Sequence, residues 1–368
     1  MKIAILREII TGEKRVSATP DMVKKYIALG ASVSIASGAG AGISIDDSEF
    51  EAAGAVISDD ISDADIILCV RPPSAEVIAK AKEGAILVGM LDAYSNKDLL
   101  TAYNNKKISA FSLELLPRIS RAQSMDVLSS QSNLAGYRAV IDAVASFGKA
   151  VPMMMTAAGT VAPAKVLILG VGVAGLQAIA TAKRLGAVVS AFDVRPIAKE
   201  QVESLGAKFI EVAASESGEA SGGYAKEMSD EYKRKQGELI AETIKKQDIV
   251  ISTALIPNRP APVLITEDMV QTMRQGSVIV DLAVASGGNC PITELDQAVV
   301  KYGVTLIGYS NMPSRVAVDA SSLYARNLYN FISTLVIEKQ EINVKWEDEL
   351  VVGVLLTKNG ETVNKMIG

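Results

Sequence analysis

Short apolar runs alternate with amphipathic stretches along the first half of the chain. The runs are rich in Ile, Val, Leu and Ala and are bounded by turn residues, which is typical of β-strands. They cover 2–6, 32–36, 64–70, 85–90 and 108–114. Because they are apolar throughout rather than alternating, they predict a parallel sheet that is covered on both faces. Between the first two runs, Thr19, Pro20 and Gly30 predict the start and the end of a helix.

The same pattern starts again near residue 165. A second series of predicted strands covers 165–169, 188–193, 209–212, 248–253, 277–283 and 305–309. Apolar residues that recur every three or four positions predict helices near 130–148 and 319–336. Two successive series of strands and helices predict an α/β protein with two doubly wound, Rossmann-like domains. We expect a nucleotide-binding cleft between these domains.

Two further segments have a different character. Residues 213–237 are polar and small, which predicts a long loop followed by a charged helix; long loops in compact domains are often lids or binding loops. Residues 342–363 are interpreted as β-rich, with Asn359-Gly360 as the turn of a hairpin.

Composition excludes several classes of protein. Of the 368 residues, 49% are hydrophobic and 21% are charged, a balance typical of a globular protein and not of a disordered one. The net charge of −5 gives no reason to expect nucleic acid as a partner. The longest uncharged stretch, 166–182, is interrupted by glycines, and the N-terminal residues lack a secretory pattern. We therefore expect neither a membrane-spanning helix nor a signal peptide.

The chain contains no histidine. This excludes Ser-His-Asp and Cys-His nucleophilic sites, histidine-ligated metals and the commonest general acid–base group. The two cysteines, Cys69 and Cys290, lie in separate apolar runs, so we expect buried thiols rather than a disulfide. No metal site is expected.

The strongest chemical signal is a glycine-rich sequence directly after a predicted strand. Gly170, Gly172 and Gly175 form the pattern GxGxxG, and Asp193 ends the next strand. This combination predicts a dinucleotide site, with the pyrophosphate at a helix N-terminus and the carboxylate on the adenosine ribose. The carboxylate would repel a 2′-phosphate, although Arg195 lies two residues further on. The sequence therefore favours NAD(H) over NADP(H), with a glycine-rich packing turn as the alternative.

A second polar segment precedes the predicted helix at 130–148. It gathers Arg118, Arg121, Gln123, Asp126, Ser129, Ser130, Gln131 and Ser132. One interpretation is a solvated loop, with Ser132 or Asn133 as the helix N-cap. The other is a set of polar groups that faces the crevice between the domains and contacts a ligand.

Long blocks of the sequence resemble the soluble NAD(H)-binding component of the proton-translocating nicotinamide nucleotide transhydrogenases. These transhydrogenases share a family with the alanine dehydrogenases. The blocks are RISRAQSMDVLSSQSNLAGYRAVIDA (118–143), PMMMTAAGTVAPAKVLILGVGVAGLQAIATAKRLGA (152–187), GGYAKEM (222–228), TALIPNRPAPVLIT (253–266) and DLAVASGGNCP (281–291). The resemblance extends over essentially the whole chain.

The resemblance implies which residues hold the nucleotide. The nicotinamide end would be held by Arg118, Gln123, Asp126 and Ser129. The adenosine end and pyrophosphate would be held by Gly170, Gly172, Val173, Gly175, Asp193, Val194 and Arg195. Gln236 and Leu255 would make further contacts with the nucleotide. Gly223 and Tyr224 would belong to a loop that closes over the nucleotide.

The resemblance also implies a domain organisation and partners. A discontinuous N-terminal domain would comprise 1–128 and 312–368, and an NAD(H)-binding domain would comprise 129–311. The chain would form a homodimer. It would hold NADH for direct hydride transfer to NADP⁺ on an NADP(H)-binding subunit, while a separate membrane-spanning subunit translocates protons. It would be cytoplasmic and peripheral at the inner face of the membrane.

Three alternatives remain open. An alanine dehydrogenase would use a histidine and an aspartate on its substrate, but Met90 and Ala285 stand about where these would lie, with only Asp281 nearby. A noncatalytic NAD(H) sensor would not need the polar segment 118–132. The third alternative is another Rossmann enzyme with an adenosyl ligand.

Overall fold

The computed structural model describes residues 1–212, 228–256, 259–338, 340–365 and 367. Its strands are β1 Lys2–Ile5, β2 Ser32–Ile35, β3 Val56–Ile57, β4 Ile66–Leu68, β5 Ile86–Gly89, β6 Ser109–Ser112, β7 Met154–Thr156, β8 Gly159–Val161, β9 Lys165–Leu169, β10 Val188–Phe192, β11 Lys208–Ile210, β12 Ile249–Ser252, β13 Val278–Asp281, β14 Ala298–Lys301, β15 Val304–Ile307, β16 Ile337–Glu338, β17 Glu341–Ile342, β18 Leu355–Lys358 and β19 Glu361–Thr362. Its α-helices are α1 Pro20–Ala28, α2 Asp47–Ala52, α3 Ala75–Lys80, α4 Lys97–Asn105, α5 Val127–Ser146, α6 Val173–Arg184, α7 Ala198–Ser204, α8 Asp230–Ile244, α9 Glu267–Gln271, α10 Ala317–Leu335 and α11 Glu349–Val354.

The chain divides into two compact units. The first unit comprises 1–131 and 313–368, and the second comprises 132–312. Helix α5 begins in the first unit and ends in the second. Each unit is an α/β structure built on its own sheet, so the predicted fold class of two Rossmann-like domains is confirmed.

The sheet of the first unit has the strand order β19-β18-β6-β5-β4-β1-β2-β3. Strands β1 to β6 pair in parallel, and β18 and β19 add antiparallel strands at one edge. Alternate residues of β1 enter different cores: Ile3 and Ile5 pack on one face and Ala4 on the other. Both faces are therefore covered, as the continuous apolar runs predict.

Helix α10 completes one core of the first unit. Its residues Tyr324, Leu328, Phe331 and Leu335 are all buried, which confirms the predicted periodicity. The Tyr324 hydroxyl donates a hydrogen bond to the Cys69 carbonyl oxygen at 2.8 Å and accepts one from the Met90 N–H at 3.1 Å. The tyrosine thereby fixes the ends of two neighbouring strands.

The sheet of the second unit has the strand order β11-β10-β9-β12-β13-β15-β14. All strands are parallel except β14, which pairs antiparallel with β15. The order reverses direction between β9 and β12, and this is the position at which doubly wound sheets bind ligands, outside the carboxyl ends of the strands. The carboxyl end of β9 leads directly into the glycine-rich sequence.

The C-terminal segment corrects one prediction. The hairpin β18–β19 is present, and its turn residues Asn359 and Gly360 both have positive φ. Residues 349–354, however, form helix α11 rather than strand. The carboxylate of Asp348 caps this helix by accepting the Leu350 N–H at 2.9 Å. Buried residues at 350, 351 and 354 follow the helical period, which the apolar composition of the segment conceals.

In the part of the chain that the structure describes, no helix is both long enough and apolar enough to cross a membrane. Cys69 and Cys290 are buried free thiols.

Candidate functional site

The glycine-rich turn joins β9 to α6 through three positions with different roles. Gly170 has a φ of +90°, a conformation that L side chains rarely adopt. A Cβ at Gly175 would lie 2.0 Å from the Gly170 carbonyl oxygen, so only glycine permits this contact between turn and helix. A Cβ at Gly172 would meet no atom within 4 Å. The open space beside Gly172 and the N-terminus of α6 is where a pyrophosphate would approach the backbone.

Asp193 follows β10 and is bound to the glycine-rich turn. Its Oδ2 accepts the Val171 N–H at 2.7 Å, and its Oδ1 accepts the Arg195 N–H at 2.9 Å. The Arg195 guanidinium adds bonds from Nε to Oδ1 and from Nη2 to Oδ2, both at 2.8 Å. The carboxylate therefore stands at the turn, as the fingerprint predicts. Arg195 is predicted from the sequence as a nucleotide contact, but its bonds to Asp193 are not.

Thr253 is a residue of this site that sequence reasoning missed. It follows β12, on the other side of the point where the strand order reverses. Its hydroxyl donates a hydrogen bond to the Gly170 carbonyl oxygen at 2.9 Å. A Cβ at Gly170 would lie 2.8 Å from the same hydroxyl oxygen. Thr253 thus fixes the turn from the neighbouring strand.

The buried amide of Asn289 fixes the loop that carries Thr253. Its Oδ1 accepts the Ser252 hydroxyl at 2.6 Å and the Ala254 N–H at 3.2 Å. Its Nδ2 donates to the Ala254 and Pro262 carbonyl oxygens at 2.9 and 2.8 Å. The sequence GGN at 287–289, a polar residue next to a glycine pair, is the pattern from which this role could have been predicted.

The other predicted contacts of the second unit lie on its surface or in α8. Val173, at the first position of α6, is 39% exposed, and Leu255 is 48% exposed, so both are accessible to a ligand. Val194 is half-buried. Gln236 lies on α8 and is buried. Gly223 and Tyr224, the predicted lid residues, lie outside the described residues.

The polar segment of the first unit is folded rather than irregular, although the side chains of Arg118, Arg121 and Gln123 are exposed to solvent. Residues 120–125 form a 3₁₀ helix, and Asn327 and Asn330 both donate to the Ser124 carbonyl oxygen at 2.9 Å. Arg121 forms a fork onto the Asp348 carboxylate, with distances of 2.6 and 2.8 Å. The segment is held in one conformation by the C-terminal part of the chain.

Helix α5 begins at Val127, three residues before the predicted start, and this corrects the predicted N-cap. The cap is Asp126, not Ser132 or Asn133. Its carboxylate accepts both the N–H and the hydroxyl of Ser129. Asp126 therefore stabilises the helix start, a role typical of aspartate at this position.

Arg118 and Gln123 are exposed, whereas Asp126 and Ser129 are half-buried. All four predicted nicotinamide residues belong to the first unit and lie within 12 residues of chain, and Asp126 and Ser129 contact each other directly. Two polar neighbours are structural: the Ser130 hydroxyl donates to Asn327 Oδ1 at 2.8 Å, and Gln131 donates to the Ala320 carbonyl oxygen at 3.1 Å.

A buried ion pair occupies the segment after β1 in the first unit. Arg15 binds Glu13 through Nε at 2.8 Å and Nη2 at 2.6 Å, and its Nη1 donates to Gln131 Oε1 at 2.8 Å. Arg15 is 3% exposed, and the Glu13 side chain is fully buried. This guanidinium is therefore committed to internal partners.

Glu8 lies near this pair, after β1 and beside the end of β4. It accepts the Val70 N–H at 2.7 Å and the Arg71 N–H at 3.1 Å. Burial raises the pKa of Glu8 to about 7 against the lowering effect of these two hydrogen bonds.

The two residues that the sequence comparison set against the acid–base groups of alanine dehydrogenases, Met90 and Ala285, have side chains that cannot exchange a proton. Met90 is buried, and Ala285 lies in a 3₁₀ turn over 284–286. Asp281, the acid near Ala285, is fully buried and accepts the Ala283 and Cys290 N–H groups at 2.9 Å each. Among the described residues, no group of three or more Cys, Asp or Glu side chains could hold a metal ion.

The turn, the open helix N-terminus and the carboxylate after β10 define a protein with a Rossmann-type dinucleotide-binding unit. The chain belongs to the alanine dehydrogenase/PNT family. The model of its N-terminal domain matches residues 4–135, and the model of its C-terminal domain matches residues 139–365. This confirms the family recognised from the sequence blocks.

Within this family, the chain is more similar to transhydrogenase subunits than to alanine dehydrogenases among the relatives compared. It is 55% identical over 376 residues to an NAD(P) transhydrogenase alpha-subunit chain of Rhodospirillum rubrum, covering 99% of this chain and 98% of the relative. Identity to an alanine dehydrogenase of Methanococcus maripaludis is 31% over 379 residues, covering 99% and 93%. The crystal structure of transhydrogenase from Sinorhizobium meliloti has a TM-score of 0.88 and 47% identity, covering 100% of both chains.

Proposed function

We propose that the chain is the NAD(H)-binding subunit of a proton-translocating NAD(P)⁺ transhydrogenase. The observation that carries this proposal is the Asp193 carboxylate hydrogen-bonded to the glycine-rich turn, in a chain 55% identical to a transhydrogenase subunit. An acidic residue at this position accepts ribose hydroxyls and disfavours a 2′-phosphate. NAD(H) is therefore the nucleotide of this chain, and NADP(H) belongs to a partner subunit.

Each end of the nucleotide has its own set of residues in this proposal. The turn at Gly170, Gly172 and Gly175 and the N-terminus of α6 bind the pyrophosphate. Val173 adds a backbone contact at the turn, and Asp193, Val194 and Arg195 form the adenosine pocket. Gln236 and Leu255 make further contacts with the nucleotide, and Gly223 and Tyr224 belong to a closing loop. Arg118, Gln123, Asp126 and Ser129 orient the nicotinamide.

The chemistry assigned to this chain is direct hydride transfer. A hydride that passes between two nicotinamide rings needs close approach and correct orientation, with no proton donor or acceptor. The chain has no histidine, and the family resemblance puts Met90 and Ala285 about where an alanine dehydrogenase would carry its acid–base groups. The site is thus suited to positioning and not to amino-acid oxidation.

The complete enzyme requires further subunits. An NADP(H)-binding subunit accepts the hydride, and a membrane-spanning subunit translocates the protons, so the chain is active only in their presence. The chain itself forms a homodimer and is held at the cytoplasmic face of the membrane through these partners.

Isotope transfer tests the proposal. NADH deuterated at the reactive carbon is mixed with the chain, NADP⁺ and an NADP(H)-binding subunit of a related transhydrogenase. The deuterium is expected on the NADPH product, without exchange with water. The chain alone should give no transfer. Binding of NADH without transfer in the complex would favour a noncatalytic sensor instead.

A further inference from the structure

The Arg195 side chain is hydrogen-bonded to the Asp193 carboxylate, the group on which the choice between NADH and NADPH depends. Its Nε and Nη2 each lie 2.8 Å from an oxygen of Asp193, and Nη2 also donates to the Val171 carbonyl oxygen at 3.0 Å. Arginine recognises phosphate through the same pair of parallel bonds. The Nε and Nη2 donors, which form one edge of the guanidinium, are therefore engaged by the neighbouring aspartate.

The Asp193 carboxylate can accept no further hydrogen bond in this arrangement. A carboxylate offers about four acceptor positions. Two are filled by the Arg195 guanidinium and two by the N–H groups of Val171 and Arg195. A ribose with two hydroxyls must therefore replace the guanidinium bonds, while the two N–H bonds can remain.

The pair is also shielded from water. The side chains of Arg195 and Asp193 are 16% and 6% exposed. Separating them without compensation leaves a poorly solvated charge, which is unfavourable. The two hydroxyls of NADH compensate Asp193. A 2′-phosphate would compensate Arg195, but it would leave Asp193 unpaired beside a second anion.

We propose that Asp193 masks Arg195 as a receptor for a 2′-phosphate, so that the pair, and not the aspartate alone, excludes NADPH. This inference rests on the proposed function, in which the site binds NAD(H). Removing the charge of Asp193 should release the guanidinium and create a site for NADPH.

The variant Asp193→Asn isolates this effect. Its amide oxygen, in the place of Oδ2, can still accept the Val171 N–H and an Nη2 hydrogen, but its NH₂ group, in the place of Oδ1, cannot accept Arg195 Nε. The paired bonds and the charge attraction that hold the guanidinium are therefore lost. We expect NADPH to bind at least about tenfold more tightly than to the wild type, the factor that corresponds to one charge-assisted hydrogen bond. Asp193→Ser, which also lacks the charge, provides a second variant if the amide disturbs folding, as judged by thermal unfolding.

The double variant Asp193→Asn/Arg195→Gln should lose the increased affinity for NADPH. The matched control is Asp193→Asn/Arg184→Gln, which has the same net charge and changes an exposed arginine at the end of α6. This control variant should keep the increased affinity for NADPH. Arg195→Gln alone should not strengthen NADPH binding, because the Asp193 charge that repels a 2′-phosphate remains and has lost its partner.

Calorimetric titration of the full-length chain with NADH and with NADPH measures all of these variants. Equal NADPH binding by Asp193→Asn with and without Arg195 would overturn the masking, and so would the absence of a gain in both charge-removing variants. Failure of the wild type to bind NADH would instead overturn the proposed function. The masking is judged from differences in NADPH binding alone, so the two failures are distinguishable.

Discussion

The Thr253 hydroxyl donates a hydrogen bond to the Gly170 carbonyl oxygen at 2.9 Å. This bond joins the end of β12 to the glycine-rich turn that follows the neighbouring strand β9. Asn289 holds the loop of Thr253 through two bonds to Ala254. The geometry of the turn therefore depends on residues more than 80 positions away in the sequence.

Thr253→Val should weaken NADH binding by about fivefold, equivalent to about 1 kcal/mol for one lost hydrogen bond. Valine keeps the shape of the side chain but leaves the Gly170 carbonyl oxygen without this donor. Thr253→Ser retains the hydroxyl and should bind NADH as the wild type does. Calorimetric titration gives the affinities, and equal binding by both variants would show that the bond does not shape the site.

Asp193→Ala should weaken NADH binding by about 1–3 kcal/mol, because the ribose hydroxyls lose a charged acceptor. Glu200→Ala, an exposed carboxylate on α7, serves as the control and should have no effect on binding. The decrease in affinity is measured by the fluorescence of bound NADH. Unchanged affinity in Asp193→Ala would place the ribose elsewhere.

Arg118→Ala should slow hydride transfer more than it weakens NADH binding, because its proposed role is to orient the nicotinamide. Arg121→Ala is the matched control: this guanidinium is bound to Asp348, so its loss should lower the unfolding temperature and leave the transfer step intact. Single-turnover transfer with a partner subunit and NADH titration separate the two effects. If Arg118→Ala transferred hydride at the wild-type rate, the assigned nicotinamide site would be wrong.

The chain should not oxidise L-alanine with NAD⁺, and it should not form alanine from pyruvate, ammonium and NADH. Oxidation of the amine needs a group that accepts a proton, and neither Met90 nor Ala285 can do so. Reduction of the imine also needs a proton donor. Absorbance of NADH at saturating substrate is the measurement, and sustained turnover would assign the chain to the alanine dehydrogenases.

Glu8→Gln should remove one pH dependence of stability. Burial raises the pKa of Glu8 from 4.5 to about 7, so the folded state binds a proton more tightly than the unfolded state does. The wild type therefore loses stability as the pH rises from about 4.5 to 7, by about 2–3 kcal/mol. The variant, which cannot ionise, should exceed the wild type in stability at pH 8 by more than at pH 5.

Urea unfolding at the two pH values measures this difference. Glu83→Gln, which changes an exposed carboxylate paired with Lys107, should not reproduce the pattern. If the free energies of unfolding of Glu8→Gln and the wild type differed by the same amount at both pH values, the raised pKa of Glu8 would be contradicted.

The sequence by itself determined the two series of strands, the helix at α10, the glycine-rich fingerprint and the family. These features depend on local periodicity or on residues that are close along the chain. Gly170, Gly172 and Gly175 lie within one turn of backbone, and the strand before them is continuously apolar because both faces of its sheet are covered. Such signals require no knowledge of distant partners.

Only the tertiary structure decided what the polar side chains bind. The same carboxylate can contact a ligand, cap a helix or hold an arginine, and composition does not distinguish these roles. Asp126 caps α5, residues 349–354 form a helix that packs through one face, and Arg195 engages both oxygens of Asp193. Each outcome depends on the distance and direction of neighbouring groups, which are fixed only when the chain has folded.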